Sequence, residues 1–127
     1  MDLVNGLNNK ELKDILKKID DYSKSENKNS SSSSYTLEPQ GIYLGVFSSS
    51  DSAYENVIAL STIYKVTETK SDGLKDTQYK DYSYAAGVKK DDSVDMDRLE
   101  KVQFKTTKDL EELKSYFSDS KFKEYKQ

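Results

Sequence analysis

The stretch that decides the fold class runs from residue 42 to residue 47 and reads Ile42-Tyr43-Leu44-Gly45-Val46-Phe47. It is short, apolar and rich in β-branched and aromatic side chains, which is typical of a strand buried in a sheet. The turn-forming sequence Pro39-Gln40-Gly41 comes directly before it. We therefore predict a domain that is built around a sheet.

The segment from Ala53 to Lys65 follows this strand and is compatible with two structures. Ser52 and Glu55 have the spacing of a capping box, which marks the first turn of a helix. The same segment also contains apolar side chains at alternate positions up to Val66, as a half-buried strand would. The capping signal and the length favour a helix for the first part, with a strand starting at Val66 and Thr67.

Three further elements are predicted toward the C-terminal end. One strand covers Tyr79 to Val88, and a short one covers 102–104. Thr106 and Asp109 form another capping box, and the residues that mark a final helix after it are Leu110, Leu113, Tyr116 and Phe117. Strand and helix signals that alternate with short connections predict an α+β fold, namely a small, mostly antiparallel sheet with helices packed on one face.

The N-terminal part of the chain predicts an amphipathic helix. Asn8 and Glu11 form a capping box at its start. The apolar side chains that recur at helical spacing are Leu12, Ile15, Leu16, Ile19 and Tyr22. Such a helix either packs on its own domain or serves as a docking segment.

A polar segment at 23–34, which ends in five Ser residues, separates this helix from the sheet. It contains no apolar side chain whose burial could offset the entropy lost on ordering, so a flexible linker is predicted. The expected organisation is a helix at 1–22, a linker at 23–34 and an α+β binding domain at 35–127.

The composition argues against catalysis. The 127 residues include no His and no Cys, which removes the usual general base, the thiol nucleophile and the commonest metal ligands. The chain also lacks a Gly-x-Ser-x-Gly elbow and a Gly-rich phosphate loop. We therefore expect a protein that is not an enzyme, with no catalytic residue, no cofactor and no metal.

The charge pattern argues against nucleic acid as a partner. The formal net charge is -3, and the basic side chains are interleaved with acidic ones. Arg98 is the single arginine, so bidentate recognition of phosphate or guanine is scarcely available. No apolar run approaches the length of a membrane span, and the first residues do not read as a signal peptide.

The ten Tyr residues form the most suggestive pattern, because Trp is absent. Tyr82 and Tyr84 point to the same side of the predicted strand at 79–88. If that side is exposed, it forms an aromatic surface that suits sugars or a protein partner. If it is covered, these rings belong to the core.

An acidic cluster is the nearest approach to a metal site, and it consists of Asp91, Asp92, Asp95, Asp97 and Glu100. Its spacing lacks the alternate oxygens, the central Gly and the final Glu of an EF-hand loop. The segment therefore predicts a solvated acidic loop or short helix.

The first strand resembles the opening of the SPOR (sporulation-related repeat) domain family. The residues that carry the resemblance are Gly45-Val46-Phe47, then Ala53 and Leu60, and a second glycine in Tyr84-Ala85-Ala86-Gly87-Val88. The similarity covers about residues 41–104. It implies a βαββαβ fold whose open sheet face binds peptidoglycan glycan strands lacking stem peptides.

Carried onto this chain, the resemblance places Tyr43, Gly45 and Phe47 on the binding face, with the second half of that face near Tyr84 and Ala86. The pattern of Tyr residues adds Tyr82. The leading helix and the Ser-rich linker would then form an extracytoplasmic stalk.

Two functions follow as expectations. The first is a non-catalytic module that binds cell-wall glycan, which places the protein outside the cytoplasm if an export or membrane segment was removed. The alternative is a small cytoplasmic protein, such as a phage-type inhibitor of a host enzyme, that contacts its partner through Asp91, Asp92, Asp95 and Asp97 and through the N-terminal helix.

Overall fold

A computed structural model describes residues 9–118 and 121–126. Its elements are α1 (Asn9–Glu26), β1 (Ser33–Ser48), β2 (Asn56–Lys70), β3 (Lys75–Val88), a 3₁₀ turn (Met96–Arg98), β4 (Glu100–Val102), β5 (Thr106–Thr107), α2 (Leu110–Ser118) and β6 (Phe122–Glu124). The capping role predicted for Asn8 lies outside the described residues.

One antiparallel sheet organises the chain. The long strands β1, β2 and β3 form a meander, and the six-stranded sheet has the order β4-β3-β2-β1-β6. β5 pairs with β3 beside β4, on the edge of β3 that faces away from β2. The predicted α+β class with an antiparallel sheet is confirmed.

α1 covers one face of the sheet. Leu12, Ile15 and Ile19 are fully buried and pack against Leu60 and Tyr82. The amphipathic pattern predicted for this helix is therefore explained by packing on its own domain. The Oε2 of Glu11 in α1 accepts a hydrogen bond from the backbone N–H of Val94 at 3.0 Å.

α2 covers the opposite face. Leu113 and Phe117 are fully buried and pack in one cluster with Tyr43 and Ile63. Neighbouring residues of a strand point to opposite faces, so Ile63 and Tyr64 of β2 contact different clusters. The prediction that the helices share one face is wrong, because both faces of the central strands are apolar and both need a cover.

Within the segment 53–65, residues 56–65 belong to the strand β2, where the sequence favoured a helix. β2 is buried on both faces, so it reads as a nearly continuous apolar run that periodicity cannot separate from a buried helix. The capping signals belong to a turn instead, in which the N–H of Tyr54 donates to the carbonyl of Asp51 at 3.1 Å. The observed order of elements therefore differs from βαββαβ.

Half of the segment predicted as a linker belongs to regular structure. α1 continues to Glu26, and β1 begins at Ser33. Ser23 is fully buried in α1. Its hydroxyl donates to the carbonyl of Asp20 at 2.7 Å, so the burial leaves no hydroxyl without a hydrogen-bond partner. Only residues 27–32 connect helix and sheet.

The remaining boundaries differ by a few residues. β3 begins at Lys75, earlier than the predicted Tyr79, and the short strand after the acidic loop lies at Glu100–Val102 in place of 102–104. The final helix begins at Leu110, and Thr106 lies in β5 and not at the predicted cap. Asp109 directly precedes the helix, and its Oδ1 accepts a hydrogen bond from the N–H of Glu111 at 3.0 Å. Neither α1 nor α2, the helices in the described part of the chain, is long and apolar enough to cross a membrane.

Candidate functional site

The five residues predicted to bind a ligand lie on two faces of the sheet. Tyr43, Gly45 and Phe47 point toward α2, whereas Tyr82 and Tyr84 point toward α1. They do not form one surface, because β1 and β3 present them to opposite sides.

On the α2 face, Tyr43 and Gly45 are covered by other parts of the chain, whereas Phe47 is half-buried with its ring edge-on to Phe122. The ring of Tyr43 stacks on Phe117 with 5.2 Å between centroids and is 5 % exposed. A Cβ on Gly45 would lie 2.9 Å from ring atoms of Phe122. The absence of a side chain at Gly45 thus allows the ring of Phe122 to lie close to the backbone of β1. Phe122 in β6 is also the residue that pairs with Gly45.

Tyr82 belongs to the core on the other face. Its side chain is 1 % exposed beneath α1, and its hydroxyl accepts a hydrogen bond from the Asn27 amide at 2.8 Å. The ring of Tyr22 lies edge-on to it at 5.0 Å. Of the two interpretations of the Tyr pattern, the core interpretation holds for Tyr82.

Tyr84 is half-buried and lines an open groove between α1 and β4. We call this the α1–β4 groove, and its lining residues are Lys18, Asp21, Tyr22, Ser25, Tyr84 and Lys101. It encloses about 310 Å³. The rings of Tyr22 and Tyr84 are 5.9 Å apart and inclined at 64°, and the Nζ of Lys101 lies 5.0 Å from the centroid of Tyr22.

The strand pairing of β3 with β4 and the position of Tyr22 on α1 together form the groove. Tyr84 in β3 pairs directly with Lys101 in β4, so both side chains rise on the same face. Tyr22 is the last of the apolar positions along α1, where the helix reaches the edge of the sheet. Sequence reasoning missed Tyr22 and Lys101 as site residues, because only the packing of α1 beside β4 brings them together.

The two tyrosine hydroxyls of the groove keep their protons and can donate hydrogen bonds. Burial raises the pKa of the Tyr22 hydroxyl, and the carboxylate of Glu26 adds to the rise. Burial also raises the pKa of Tyr84, with a smaller contribution from Asp21. Both hydroxyls are therefore protonated at neutral pH. The lining includes the ammonium groups of Lys18 and Lys101 and the carboxylate of Asp21, and the carboxylate of Glu26 also acts on Tyr22, so the groove carries both signs of charge.

The acidic residues predicted to contact a partner lie in the loop between β3 and β4. The Asp91 carboxylate accepts from the hydroxyl of Ser93 at 2.6 Å, which lowers its pKa. Asp92 adopts a left-handed backbone with φ of 66°, which Asp tolerates in turns. Asp95 accepts a hydrogen bond from the Tyr54 hydroxyl, which lowers its pKa. Asp97 is exposed.

These carboxylates do not converge. Among residues 9–118 and 121–126, no three carboxylates come together in a group that could hold a metal ion. The loop therefore presents separated negative charges.

The chain matches no protein-family model, no curated protein and no solved structure. The resemblance of residues 41–104 to the SPOR domain thus rests on the few residues quoted for it.

Proposed function

We propose that this protein is a non-catalytic module that binds a glycan in the α1–β4 groove. The observation that supports this is an open groove whose walls are the rings of Tyr22 and Tyr84. Tyrosine combines an apolar face with a polar hydroxyl, so it can contact the C–H face of a sugar ring and also hydrogen-bond to sugar hydroxyls. The hydroxyl of Ser25 and the carboxylate of Asp21 add polar partners at the rim.

The best candidate ligand is a peptidoglycan glycan strand without stem peptides. Removal of a stem peptide leaves a free carboxylate on the lactyl group of the sugar. Lys18 and Lys101 line the groove and supply the positive charge that such a carboxylate requires. This ligand places the proposed function outside the cytoplasm.

Cosedimentation with purified cell wall tests the proposal. We expect the parent protein to sediment with amidase-treated wall, and to do so less with wall that retains its stem peptides. Tyr84→Ala removes one wall of the groove and should weaken binding at least about fivefold, since a stacked ring contributes on the order of 1 kcal/mol. Tyr116→Ala is the matched control, because Tyr116 is 39 % exposed on α2, away from the groove.

A second variant tests the electrostatic contribution to glycan binding. Lys101→Gln should weaken binding to amidase-treated wall and make the remaining binding less sensitive to salt. Absence of binding by the parent protein at moderate salt, or equal binding by the parent and Tyr84→Ala, would rule out the groove as a glycan site.

A protein partner is the second candidate, and the loop between β3 and β4 favours it. Hydrogen bonds from Ser93 and Tyr54 hold Asp91 and Asp95 in place, so the loop presents its charges from a defined backbone. A basic surface on a partner would complement it. In this case the parent should capture one stoichiometric protein from host lysate, and a variant with Asp92→Asn and Asp97→Asn should not.

A further inference from the structure

A second cleft lies on the α2 face of β3, at the end of the sheet near the acidic loop. We call it the Tyr54–Arg98 cleft. Its walls and floor include Asp51, Tyr54, Ala85, Gly87, Arg98 and Glu100, and it encloses about 190 Å³. Ala85 and Gly87 alternate with Tyr84 along β3, so this cleft opens on the opposite side of the sheet from the α1–β4 groove. The two sites share no lining residue.

The aromatic wall of this cleft is fixed in place. The ring of Tyr54 packs against the backbone of Gly87, where a Cβ would come within 2.4 Å of a ring atom. The Tyr54 hydroxyl donates to Asp95, and the N–H of Glu55 donates to the carbonyl of Val88 at 2.8 Å. The ring is therefore held from both ends and forms a preorganised apolar surface.

The charged side chains of the cleft do not neutralise each other. The ion pairs formed between described residues are Lys24–Asp20, Lys105–Glu112 and Lys108–Asp76. None of them includes Arg98, Asp51 or Glu100, although all three line the same cleft. The guanidinium and the two carboxylates therefore have no ion-pair partner among the described residues, although Oδ1 of Asp51 accepts a hydrogen bond from the N–H of Ala53 at 2.9 Å. The cleft thus offers both signs of charge to a ligand.

The guanidinium lies on the Tyr54 side of the cleft. The hydrogen bond to Asp95 raises the pKa of the Tyr54 hydroxyl, and Arg98 opposes that rise. Arg98 and Tyr54 thus lie near each other in the lining of the cleft. A planar guanidinium binds a carboxylate through two parallel hydrogen bonds.

We infer that the Tyr54–Arg98 cleft binds a free α-amino acid in its zwitterionic form. The α-carboxylate pairs with Arg98, the α-ammonium lies between Asp51 and Glu100, and the side chain packs against Tyr54 and Ala85. The volume of 190 Å³ is below that of sites for drug-sized molecules, which suits a ligand of this size. The inference rests on residues outside the groove and is independent of the proposed glycan binding.

Titration of the ¹⁵N-labelled full chain with L-alanine, followed by amide shifts, tests this inference. We expect saturable shifts at the amides of Tyr54, Gly87 and Arg98. Propionate and ethylamine represent the two halves of the zwitterion, and each should bind at least about tenfold more weakly than L-alanine, because each leaves one charge of the cleft unpaired. L-Leucine should bind more tightly than glycine, since its side chain reaches the ring of Tyr54.

Variants assign the contacts. Arg98→Gln should weaken L-alanine binding at least about tenfold. Arg98→Lys should have an affinity between those of the parent and Arg98→Gln, because it keeps the positive charge but cannot form two parallel hydrogen bonds to a carboxylate. Lys75→Gln, at the opposite end of β3, is the control and should bind as the parent does. Unchanged amide positions in α1 show that each variant is folded.

Two outcomes would overturn the inference. Propionate shifts equal to those of L-alanine would reduce the site to an anion contact at Arg98, and shifts that never saturate would show that no site exists. Tyr84→Ala should retain L-alanine binding, so failure of the glycan proposal and failure of this one are distinguishable.

Discussion

At the scale of single residues, the Asp81 carboxylate connects the C-terminal part of the chain to the sheet. It is fully buried on the α2 face of β3, and it accepts hydrogen bonds from the backbone N–H groups of Phe104 at 2.8 Å and Lys105 at 2.7 Å. The hydroxyl of Ser83 donates to it at 3.0 Å. These donors satisfy a charge that would otherwise be costly to bury, and they hold the loop between β4 and β5 against the sheet.

Replacement of Asp81 should destabilise the fold in a graded way. Asp81→Ala leaves the partly buried N–H groups of Phe104 and Lys105 without their acceptor, and it should lower the free energy of unfolding by about 2–5 kcal/mol. Asp81→Asn keeps one acceptor oxygen and should cost roughly 1–2 kcal/mol. Urea unfolding followed by circular dichroism measures both values. Asp97→Ala, at an exposed position, should stay within about 0.5 kcal/mol of the parent.

The same carboxylate predicts a pH dependence of stability. Burial raises the pKa of Asp81, and the backbone donors of Lys105 and Phe104 oppose that rise. The unfolded chain therefore releases this proton at lower pH than the folded chain does. As pH increases from the unfolded value of 3.8 toward the raised native value, the contribution of Asp81 to stability must fall.

The measurement compares the parent with Asp81→Asn across this pH range. Other titrating groups are common to both proteins, so the difference between their free energies of unfolding isolates Asp81. We expect that difference to narrow as pH rises. A difference that widens would mean that the hydrogen bonds outweigh burial and that the native pKa lies below the unfolded one.

At the scale of elements, α1 and β2 show what the sequence can and cannot predict. α1 has one apolar face and one polar face, so its period of 3.6 residues identified it. β2 is covered on both faces, so its apolar side chains follow neither period and the capping signals near Ser52 were misleading. The decisive information is that α1 and α2 lie on opposite faces, and this is a tertiary fact that local patterns do not contain.

The packing of α1 predicts a contrast between its two faces. Ile15 is 1 % exposed and contacts the core, so Ile15→Ala should lower the free energy of unfolding by about 2–4 kcal/mol. Lys17 is on the exposed side, and Lys17→Ala should change it by less than about 0.5 kcal/mol. Thermal or urea unfolding distinguishes the two. Equal stability of Ile15→Ala and Lys17→Ala would show that α1 is a detachable segment and not part of the core.

At the scale of the whole molecule, both candidate sites depend on contacts between distant parts of the chain. The sequence singled out Tyr84, because strand alternation is a local pattern. Tyr22 and Lys101 join it only when α1 and β4 meet beside β3. Arg98 was noted only for its rarity. It lines the same cleft as Tyr54, whose ring fits against the backbone of the glycine at position 87.

The same architecture predicts a gradient of local stability along the meander. In β2, Leu60 pairs with Leu44 and Tyr84, and Thr69 pairs with Ser34 and Lys75, so both residues have neighbours in β1 and in β3. If strand pairing alone determined the protection of amides from hydrogen exchange, the amides of Leu60 and Thr69 would exchange at similar rates. Leu60 is fully buried beneath α1, whereas Thr69 is only half-buried near the turn at the end of β2.

Opening the sheet at Leu60 must therefore expose the core, and opening it at Thr69 need not. We expect hydrogen exchange at Leu60 to require global unfolding and to accelerate with urea in proportion to the full m-value. Exchange at Thr69 should be faster and nearly independent of urea at low concentration. Identical urea dependence at the two amides would show that the long strands open as one unit, and that the helices contribute less to local stability than their packing implies.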